Sequence, residues 1–261
     1  LPRTYLPFWI FITTPFVILF FSILGFSILA KRFFVRLLNI KDKKIINSDF
    51  WQSNKEKMDV FILLSFSSFL VYAIFLNVAM LSGWRHFYFL HLFISYFAAL
   101  SLNHYLNYFR KRIKTAYEYL LCVFIGFFLV YQNIKFHPYQ SLYFNQLLQK
   151  EKKNSFEVDY WAIAGVKFFK EIIKIDNSQK INIASSSYVP LERSLKLLNK
   201  SDQSKIYLLG QEYEKADYIF NNNISEVNKF KNDKYLIPQN FRKINEFKIR
   251  GYMIYEIYKK F

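Results

Sequence analysis

Arg85 and His86 are the two side chains of this sequence whose types and position offer the clearest chemistry. They stand in the stretch SGWRHFYFLH, residues 82–91, between two of the most apolar runs of the chain. Arginine presents a planar fork of N–H donors that matches phosphate oxygens. At a membrane surface such a pair can bind the phosphate of a lipid whose tail stays in the bilayer. The residues alone favour the alternative, in which Arg85 contacts ordinary lipid headgroups and Trp84 is an interfacial aromatic.

Other residue types suited to catalysis or metal binding show no such arrangement. The sequence has no Ser/His/Asp motif, and its four histidines, at 86, 91, 104 and 137, lack metal-ligand spacing. We interpret His91 as a packing histidine inside an apolar segment. Cys122 is the single cysteine, which excludes an intrachain disulfide and a cysteine-based zinc site. We predict no metal and no cofactor.

Residues 1–134 hold the segments that must position Arg85 and His86, and they are predicted to cross a membrane. About 20 apolar residues suffice to cross ~30 Å of hydrocarbon as a helix. The first two runs meet this description, and Pro15 predicts a kink in the first. The third is shorter and contains His91, but its composition still favours a span. The fourth is the weakest, and a buried core helix is the alternative for it. The predicted spans cover about 6–30, 60–82, 87–103 and 117–134.

The charges between these spans alternate along the chain. The 31–58 loop carries eight lysines and arginines, the 104–118 loop carries four, and the 82–86 turn carries Arg85 alone. Because basic loops stay on the cytoplasmic side, this pattern predicts that Arg85 faces outward. After a fourth span, the C-terminal half is predicted to lie on the outer side as well.

Beyond residue 134 the sequence is that of a linker and a soluble domain. Residues 135–150 are predicted to form an interfacial amphipathic segment, lying on the outer leaflet as a helix, with an ordinary linker as the alternative. Residues 151–261 are predicted to form a small extracytoplasmic α/β domain with a truncated doubly wound sheet. Its predicted elements are helices over 158–175 and 190–200, strands over 181–189, 205–210 and 216–223, and a terminal hairpin or long strand over 245–261.

The basic character of the chain does not indicate a nucleic-acid partner. The formal net charge is +17, but residues 133–261 mix 22 basic with 14 acidic side chains. They contain no arginine-rich stretch and no nucleic-acid-binding signature. No glycine-rich phosphate loop follows a predicted strand, so the sequence does not support a nucleotide site.

Four stretches taken in order resemble a known family. They are LPRTYLPFWIFITTPFVILFFSILGF (1–26), SGWRHFYFLH (82–91), FHPYQSLYFNQLL (136–148) and FEVDYWAIAGVKFFKEI (156–172). Together they resemble the C-terminal half of bacterial integral-membrane glycosyltransferases of the GT-C architecture, related to the protein O-mannosyltransferase family. The resemblance covers nearly the first 175 residues. It implies an α-helical protein of the bacterial inner membrane, with about four transmembrane helices followed by the α/β domain.

The resemblance also implies an activity and a set of site residues. Such enzymes move a sugar from a polyprenyl-phosphate donor to an acceptor (protein, lipid or glycan) on the outer face of the membrane. The family's catalytic Asp lies in an outer loop that we expect to precede this chain, so no catalytic residue is predicted here and the chain alone is expected to be inactive. Arg85 and His86 would contact the donor phosphate. The residues that could line the outer face of the site are Trp84, His137, Tyr139, Asn145, Asp159, Tyr160 and Trp161.

Two alternatives remain open at the level of the sequence. Glu157 and Asp159 could be taken for paired carboxylates, but two acids at a helix start more often complement the helix dipole, and neither is assigned to catalysis. The whole chain could also be a non-enzymatic membrane anchor whose extracytoplasmic domain serves as a binding or scaffold module.

Overall fold

The computed structural model describes most of the chain in two compact units. Unit 1 comprises residues 1–135 and 144–147, and unit 2 comprises residues 136–143 and 148–261. Glu157, one of the two acids considered above, lies outside the described residues. The described residues are 2–39, 51–76, 78, 83–109, 115–140, 143–147, 159–224, 233–249 and 251–261.

Helices make up the described part of unit 1. Three of them are long and apolar enough to cross a membrane, namely Phe16–Leu38, Asn54–Phe75 and Ala116–Phe136. The segment predicted over 87–103 forms a helix that is not among these three. The coarse prediction of a helical part followed by a small α/β domain is confirmed. The helices are α1 (Tyr5–Thr13), α2 (Phe16–Asn39), α3 (Asn54–Phe75), α4 (Leu90–Phe109) and α5 (Thr115–Phe136), with a short 3-10 helix at Arg85–Phe87.

The first predicted span, 6–30, is two helices rather than one kinked helix. Thr14 has an extended backbone, with φ −81° and ψ 132°, and α2 begins only at Phe16. Proline lacks an N–H and pushes the preceding residue out of the helical conformation. Pro15 therefore ends α1, and the span-length helix continues to the basic residues at its far end.

Small residues allow α2 and α4 to approach each other closely. A Cβ at Gly25 would lie 1.9 Å from the carbonyl oxygen of Phe97. The Ser22 hydroxyl donates to the Ile94 carbonyl at 2.6 Å, and the Ser101 hydroxyl donates to the α2 backbone at 2.6 Å. Because lipid tails are as apolar as leucine, helices in a bilayer associate through such close packing and interhelical hydrogen bonds.

Charged and polar side chains connect the C-terminal part of α2 with the first turns of α3 and with α4. Arg32 donates to Asp59, which also accepts from the Tyr96 hydroxyl at 2.5 Å. Arg36 pairs with Glu56 through two bonds of 2.8 and 3.0 Å. Asp59 is only 3% exposed. The two arginines, which the sequence assigned to a loop, therefore lie on a helix and hold its neighbours.

In the described residues of the segment predicted as an amphipathic helix, 135–150, the α-helix ends at Phe136. Gln140 belongs to a 3-10 helix, and the other described residues form turns and irregular chain. Pro138 supplies no N–H and disfavours a helical conformation in the residue before it. Asn145 donates its backbone N–H to the Ile12 carbonyl at 2.7 Å, so this stretch pairs with α1 instead. The rest of the segment, 141–142 and 148–150, lies outside the described residues.

Unit 2 is a five-stranded mixed sheet with short helices. The strand order is β2-β1-β3-β5-β4, in which β1 is parallel to β2 and β3, and the terminal hairpin is antiparallel. The predicted hairpin is confirmed, whereas the helix predicted over 190–200 is two short helices. The elements are α6 (Gly165–Ile175), β1 (Ile181–Ser185), α7 (Glu192–Leu195), α8 (Lys200–Gln203), β2 (Ile206–Leu208), β3 (Tyr218–Asn221), β4 (Phe241–Ile249) and β5 (Tyr252–Lys260).

The core of unit 2 lies between α6 and the sheet. Phe168, Phe169 and Ile172 recur at helical spacing on one face of α6 and are fully buried. The Phe168 ring lies 4.9 Å from Phe220 and 5.7 Å from Tyr255, measured between ring centroids. The helix predicted over 158–175 begins only at Gly165. Asp159 and Ala162, which precede it, have φ values of +59° and +52° and so lie outside the helical conformation.

Candidate functional site

Residues 83–91 lead into α4. They form a tight turn that packs against α1. Gly83 has a φ of +72°, a conformation that favours glycine. A Cβ at this position would contact the Trp9 ring at 3.4 Å. The chain then forms the single 3-10 turn Arg85–Phe87 before α4 begins. This geometry places Arg85 and His86 on consecutive positions of one turn.

Trp84 holds this turn against α1. Its side chain is 1% exposed, and its indole N–H donates to the Thr13 hydroxyl at 2.9 Å. The His91 ring lies 4.6 Å from the Trp84 ring. His91 therefore packs, as the sequence predicted. Trp84, which was predicted as a possible site-lining residue, is buried with its indole N–H engaged and positions the turn.

Asn145, also predicted to line the site, is another buried anchor of α1. Its side-chain amide donates to the carbonyls of Phe11 and Thr14 at 2.6 and 2.8 Å. These are carbonyls that the end of α1 leaves without helical partners. The side chain is 4% exposed. Asn145 thus satisfies the helix end that Pro15 creates, and this role replaces the predicted one.

Arg85 and His86 themselves are accessible. His86 is exposed and Arg85 half-buried, and the Arg85 Nε lies 3.5 Å from the His86 Nε2. In this contact the Arg85 Nε–H donates to the imidazole nitrogen, so the two side chains lie against each other.

An aromatic groove of about 620 Å³ adjoins His86. One wall is α3, which presents Ser68, Phe69 and Tyr72 on one face, and the other is the 83–91 segment. The Phe69 and Phe89 rings lie 4.9 Å apart and form its floor. The sequence analysis missed these residues, although the i, i+1, i+4 spacing on α3 could have revealed them. The groove is lined by Ser68, Phe69, Tyr72, Val78, His86, Phe87 and Phe89.

Five further residues predicted for the site lie in unit 2. His137 is exposed, and its Nδ1 lies 3.0 Å from the Gln140 amide nitrogen. Tyr160 and Trp161 pack edge to face at 5.3 Å, with Trp161 54% exposed. Tyr139 is half-buried, with its ring 5.7 Å from that of Phe247. Burial, together with the negative charges of two nearby acids, Asp159 and Glu171, raises the pKa of Tyr139.

Asp159 is buried and holds the start of α6. Its two carboxylate oxygens accept the backbone N–H groups of Ile163 and Ala164 at 2.7 and 2.9 Å. Burial raises the pKa of this carboxyl to about 6, although the N–H groups of Ala164 and Ile163 act in the opposite direction. The structure gives Asp159 the helix-start role that the sequence offered as an alternative, and not a place on an open site surface.

The pH dependence of stability is expected to report this carboxyl. The pKa of Asp159 is about 6 in the folded protein and exceeds the unfolded value. The protonated carboxyl therefore stabilises the fold in full below pH ~4, and this contribution is lost as the pH rises through ~6. The free energy of unfolding should fall by roughly 2–3 kcal/mol over this interval. Thermal unfolding from pH 4 to 7 should show this decline in the wild type and lack it in Asp159→Asn. Parallel profiles for the two proteins would contradict the assignment.

The described residues contain no group of three or more His, Cys, Asp or Glu side chains that could hold a metal ion. The site that the geometry favours consists of Arg85 and His86 beside an aromatic groove in unit 1. No protein-family model, curated protein or solved structure matches the chain.

Proposed function

We propose that this chain is the C-terminal part of a membrane glycosyltransferase of the GT-C architecture that uses a polyprenyl-phosphate sugar. Two findings support the proposal. Three helices are long and apolar enough to cross a membrane, and the resemblance of the quoted stretches implies this family. The acceptor would be a protein, lipid or glycan on the outer face of the bacterial inner membrane, and unit 2 would lie on that side.

The single observation that carries the proposal is the junction of cationic and aromatic surface at His86. This imidazole borders the groove of about 620 Å³ and also meets Arg85 at 3.5 Å. A polyprenyl phosphate is complementary to this surface, because its anionic headgroup matches the cationic side chains and its apolar tail matches the groove. An ordinary headgroup contact of Arg85 would not require a groove beside it.

The proposed reaction is a direct displacement at the anomeric carbon of the donor sugar. The acceptor hydroxyl oxygen forms a bond to this carbon, while the bond from the carbon to the lipid-phosphate oxygen breaks. The electron pair of the broken bond stays on the phosphate, and the hydroxyl proton passes to the catalytic Asp that the resemblance implies outside this chain. Arg85 and His86 would stabilise the negative charge that develops on the departing phosphate.

The proposal is tested by comparing two lipids that differ only in the phosphate. The protein in lipid nanodiscs is titrated with undecaprenyl phosphate and with undecaprenol. Arg85→Ala and His86→Ala are each expected to weaken binding of the phosphate lipid about tenfold or more and to leave the alcohol unchanged. Phe69→Ala is expected to weaken both lipids, since it removes groove surface. In the full-length enzyme, Arg85→Ala should lower sugar transfer about 100-fold or more at unchanged expression.

Arg3→Ala is the matched control, because Arg3 is an exposed arginine elsewhere in unit 1. It should bind both lipids as the wild type does. Equal binding of undecaprenyl phosphate by Arg85→Ala, His86→Ala and Arg3→Ala would refute the phosphate assignment. That result, together with unchanged transfer or no transfer by the wild type, would favour the non-enzymatic anchor with an extracytoplasmic binding domain.

A further inference from the structure

Unit 2 has its own cleft at the carboxyl ends of two parallel strands. The chain leaves β1 through α7 and α8 to reach β2 on one side, and then returns to β3 on the other side of β1. In open α/β sheets, ligands bind outside the carboxyl ends of the strands. The cleft of unit 2 lies at the ends of β1 and β2 and has a volume of about 260 Å³.

The lining of this cleft combines an apolar floor with neutral polar groups and one acid. Ile183 of β1 and Leu208 of β2 contribute apolar surface. Ser185, Glu192 and Gln211 contribute hydrogen-bonding groups. The full lining is Ile183, Ser185, Ser187, Tyr188, Val189, Pro190, Leu191, Glu192, Leu208, Gly210 and Gln211. The volume lies just below that of pockets that hold drug-sized molecules, so the cleft suits a ligand of about one ring.

The charge of the lining selects against anions. None of the described lining residues is basic, and Glu192 is an acid. A phosphate or carboxylate ligand would therefore meet like charge without compensation. The remaining polar groups are hydroxyls and an amide, which both donate and accept hydrogen bonds. They match a ligand that carries several uncharged hydroxyl groups.

Tyr188 adds an aromatic surface to these polar groups. Its side chain is 53% exposed, while its backbone N–H donates to the Ile224 carbonyl at 2.8 Å. A ring held by its backbone and open on its face offers an apolar plane with a polar tip. The C–H face of a sugar ring is the complementary surface, since its hydroxyl groups point to the sides.

Hydrogen bonds behind the lining hold the cleft in shape. The Ser187 hydroxyl donates to the Asn222 side-chain oxygen at 2.5 Å and accepts the Val189 N–H at 3.1 Å. Ser185 donates its backbone N–H to the Gly210 carbonyl at 2.7 Å, which joins the two sides of the cleft. A cleft that is rigid before binding loses less conformational entropy when the ligand enters.

We propose that the cleft of unit 2 binds an uncharged hexose ring, presented as a terminal sugar of a glycan. This binding is independent of lipid-phosphate recognition at Arg85 and goes beyond the proposed transfer reaction. Ser185, Glu192 and Gln211 hydrogen-bond the hydroxyl groups, and the Tyr188 ring contacts the sugar face. A sugar 1-phosphate, the headgroup of a phosphate-linked donor, binds more weakly because Glu192 repels it.

The proposal is tested by measuring glycoside binding to the full protein in detergent micelles by saturation-transfer NMR. The ligands are the methyl glycosides of glucose, mannose, galactose and N-acetylglucosamine. At least one glycoside should bind saturably, and the corresponding sugar 1-phosphate should bind more weakly. Tyr188→Ala and Gln211→Ala should each weaken this binding roughly tenfold. Arg85→Ala should leave it unchanged, so that failure of the phosphate assignment and failure of this proposal are distinguishable.

Tyr207→Ala is the matched control for Tyr188→Ala. Tyr207 is 47% exposed, lies on β2 and does not line the cleft. It should bind the glycoside as the wild type does, and thermal unfolding should confirm that both variants are folded. The proposal fails if no glycoside binds, if the two tyrosine variants bind equally, or if the sugar 1-phosphate binds more tightly than the glycoside.

Discussion

Gly25→Ala is expected to force α2 away from α4 and to destabilise unit 1 by about 3 kcal/mol or more. The added Cβ would lie 1.9 Å from the Phe97 carbonyl oxygen and 2.6 Å from its carbonyl carbon. These are backbone atoms, so rotation of a side chain cannot relieve the overlap. The separation would also lengthen the 2.6 Å bond from the Ser22 hydroxyl to the Ile94 carbonyl. Unfolding of the protein in detergent, followed by circular dichroism, measures the loss.

Gly126→Ala is the control for this substitution. Gly126 also lies in a span-length helix, α5, but a Cβ there meets nothing within 4 Å. Alanine has a higher helix propensity than glycine, so this variant should be as stable as the wild type or slightly more stable. Equal stability of the two alanine variants would contradict the close approach of α2 and α4.

Asp59→Leu is expected to be the second most damaging substitution, with a loss of about 3 kcal/mol. Asp59 is 3% exposed and accepts hydrogen bonds from Arg32 and the Tyr96 hydroxyl. Its removal takes away the nearer of the two carboxylates beside the Arg32 guanidinium, and the other, that of Glu56, lies 3.8 Å away. The value is at the low end for a buried pair, because the Arg32 side chain is 31% exposed and can reach solvent. The same unfolding measurement applies.

Two variants test whether the loss of the Arg32–Asp59 charge pair is the cause. Adding Arg32→Met to Asp59→Leu should restore most of the lost stability, since an apolar pair can replace a buried ion pair. Glu56→Gln should cost about 1 kcal/mol or less, because Glu56 and Arg36 are both more exposed, at 22% and 21%. If the double variant is no more stable than Asp59→Leu, the loss arises from packing and not from charge.

Local sequence signals predicted those elements whose stability depends on nearby residues. Apolar length predicted the helices that became α2, α3 and α5, although their bounds moved by up to ten residues. Alternating residues over 245–261 predicted the terminal hairpin, which the structure confirms. Pro15 predicted an interruption, but its effect was a full break. A helix can end fully at a proline only if the carbonyls freed there find hydrogen-bond donors. Here the side-chain amide of Asn145, 131 residues away from Thr14, is that donor.

The candidate site illustrates the same limit. Arg85 and His86 stand out in the sequence because two charged or titratable side chains interrupt an apolar region. Trp84 stands out equally, yet its side chain is buried and its indole N–H bonds to Thr13, 71 residues away. The aromatic groove needs a face of α3 and a turn that follows it, and the order of residues alone does not show that these surfaces meet. The cleft of unit 2 likewise depends on the order of the strands.

The sequence by itself determined which segments are apolar, where they are interrupted and where charged residues stand. These properties follow from residue type and spacing over a few turns of chain. Only the tertiary structure decided which polar side chains remain accessible. Trp84, Asn145 and Asp159 are engaged by backbone or side-chain partners, whereas His86 is exposed beside a groove. The reason is physical: a buried polar group must find a partner, and that partner can come from any part of the chain that folding brings near.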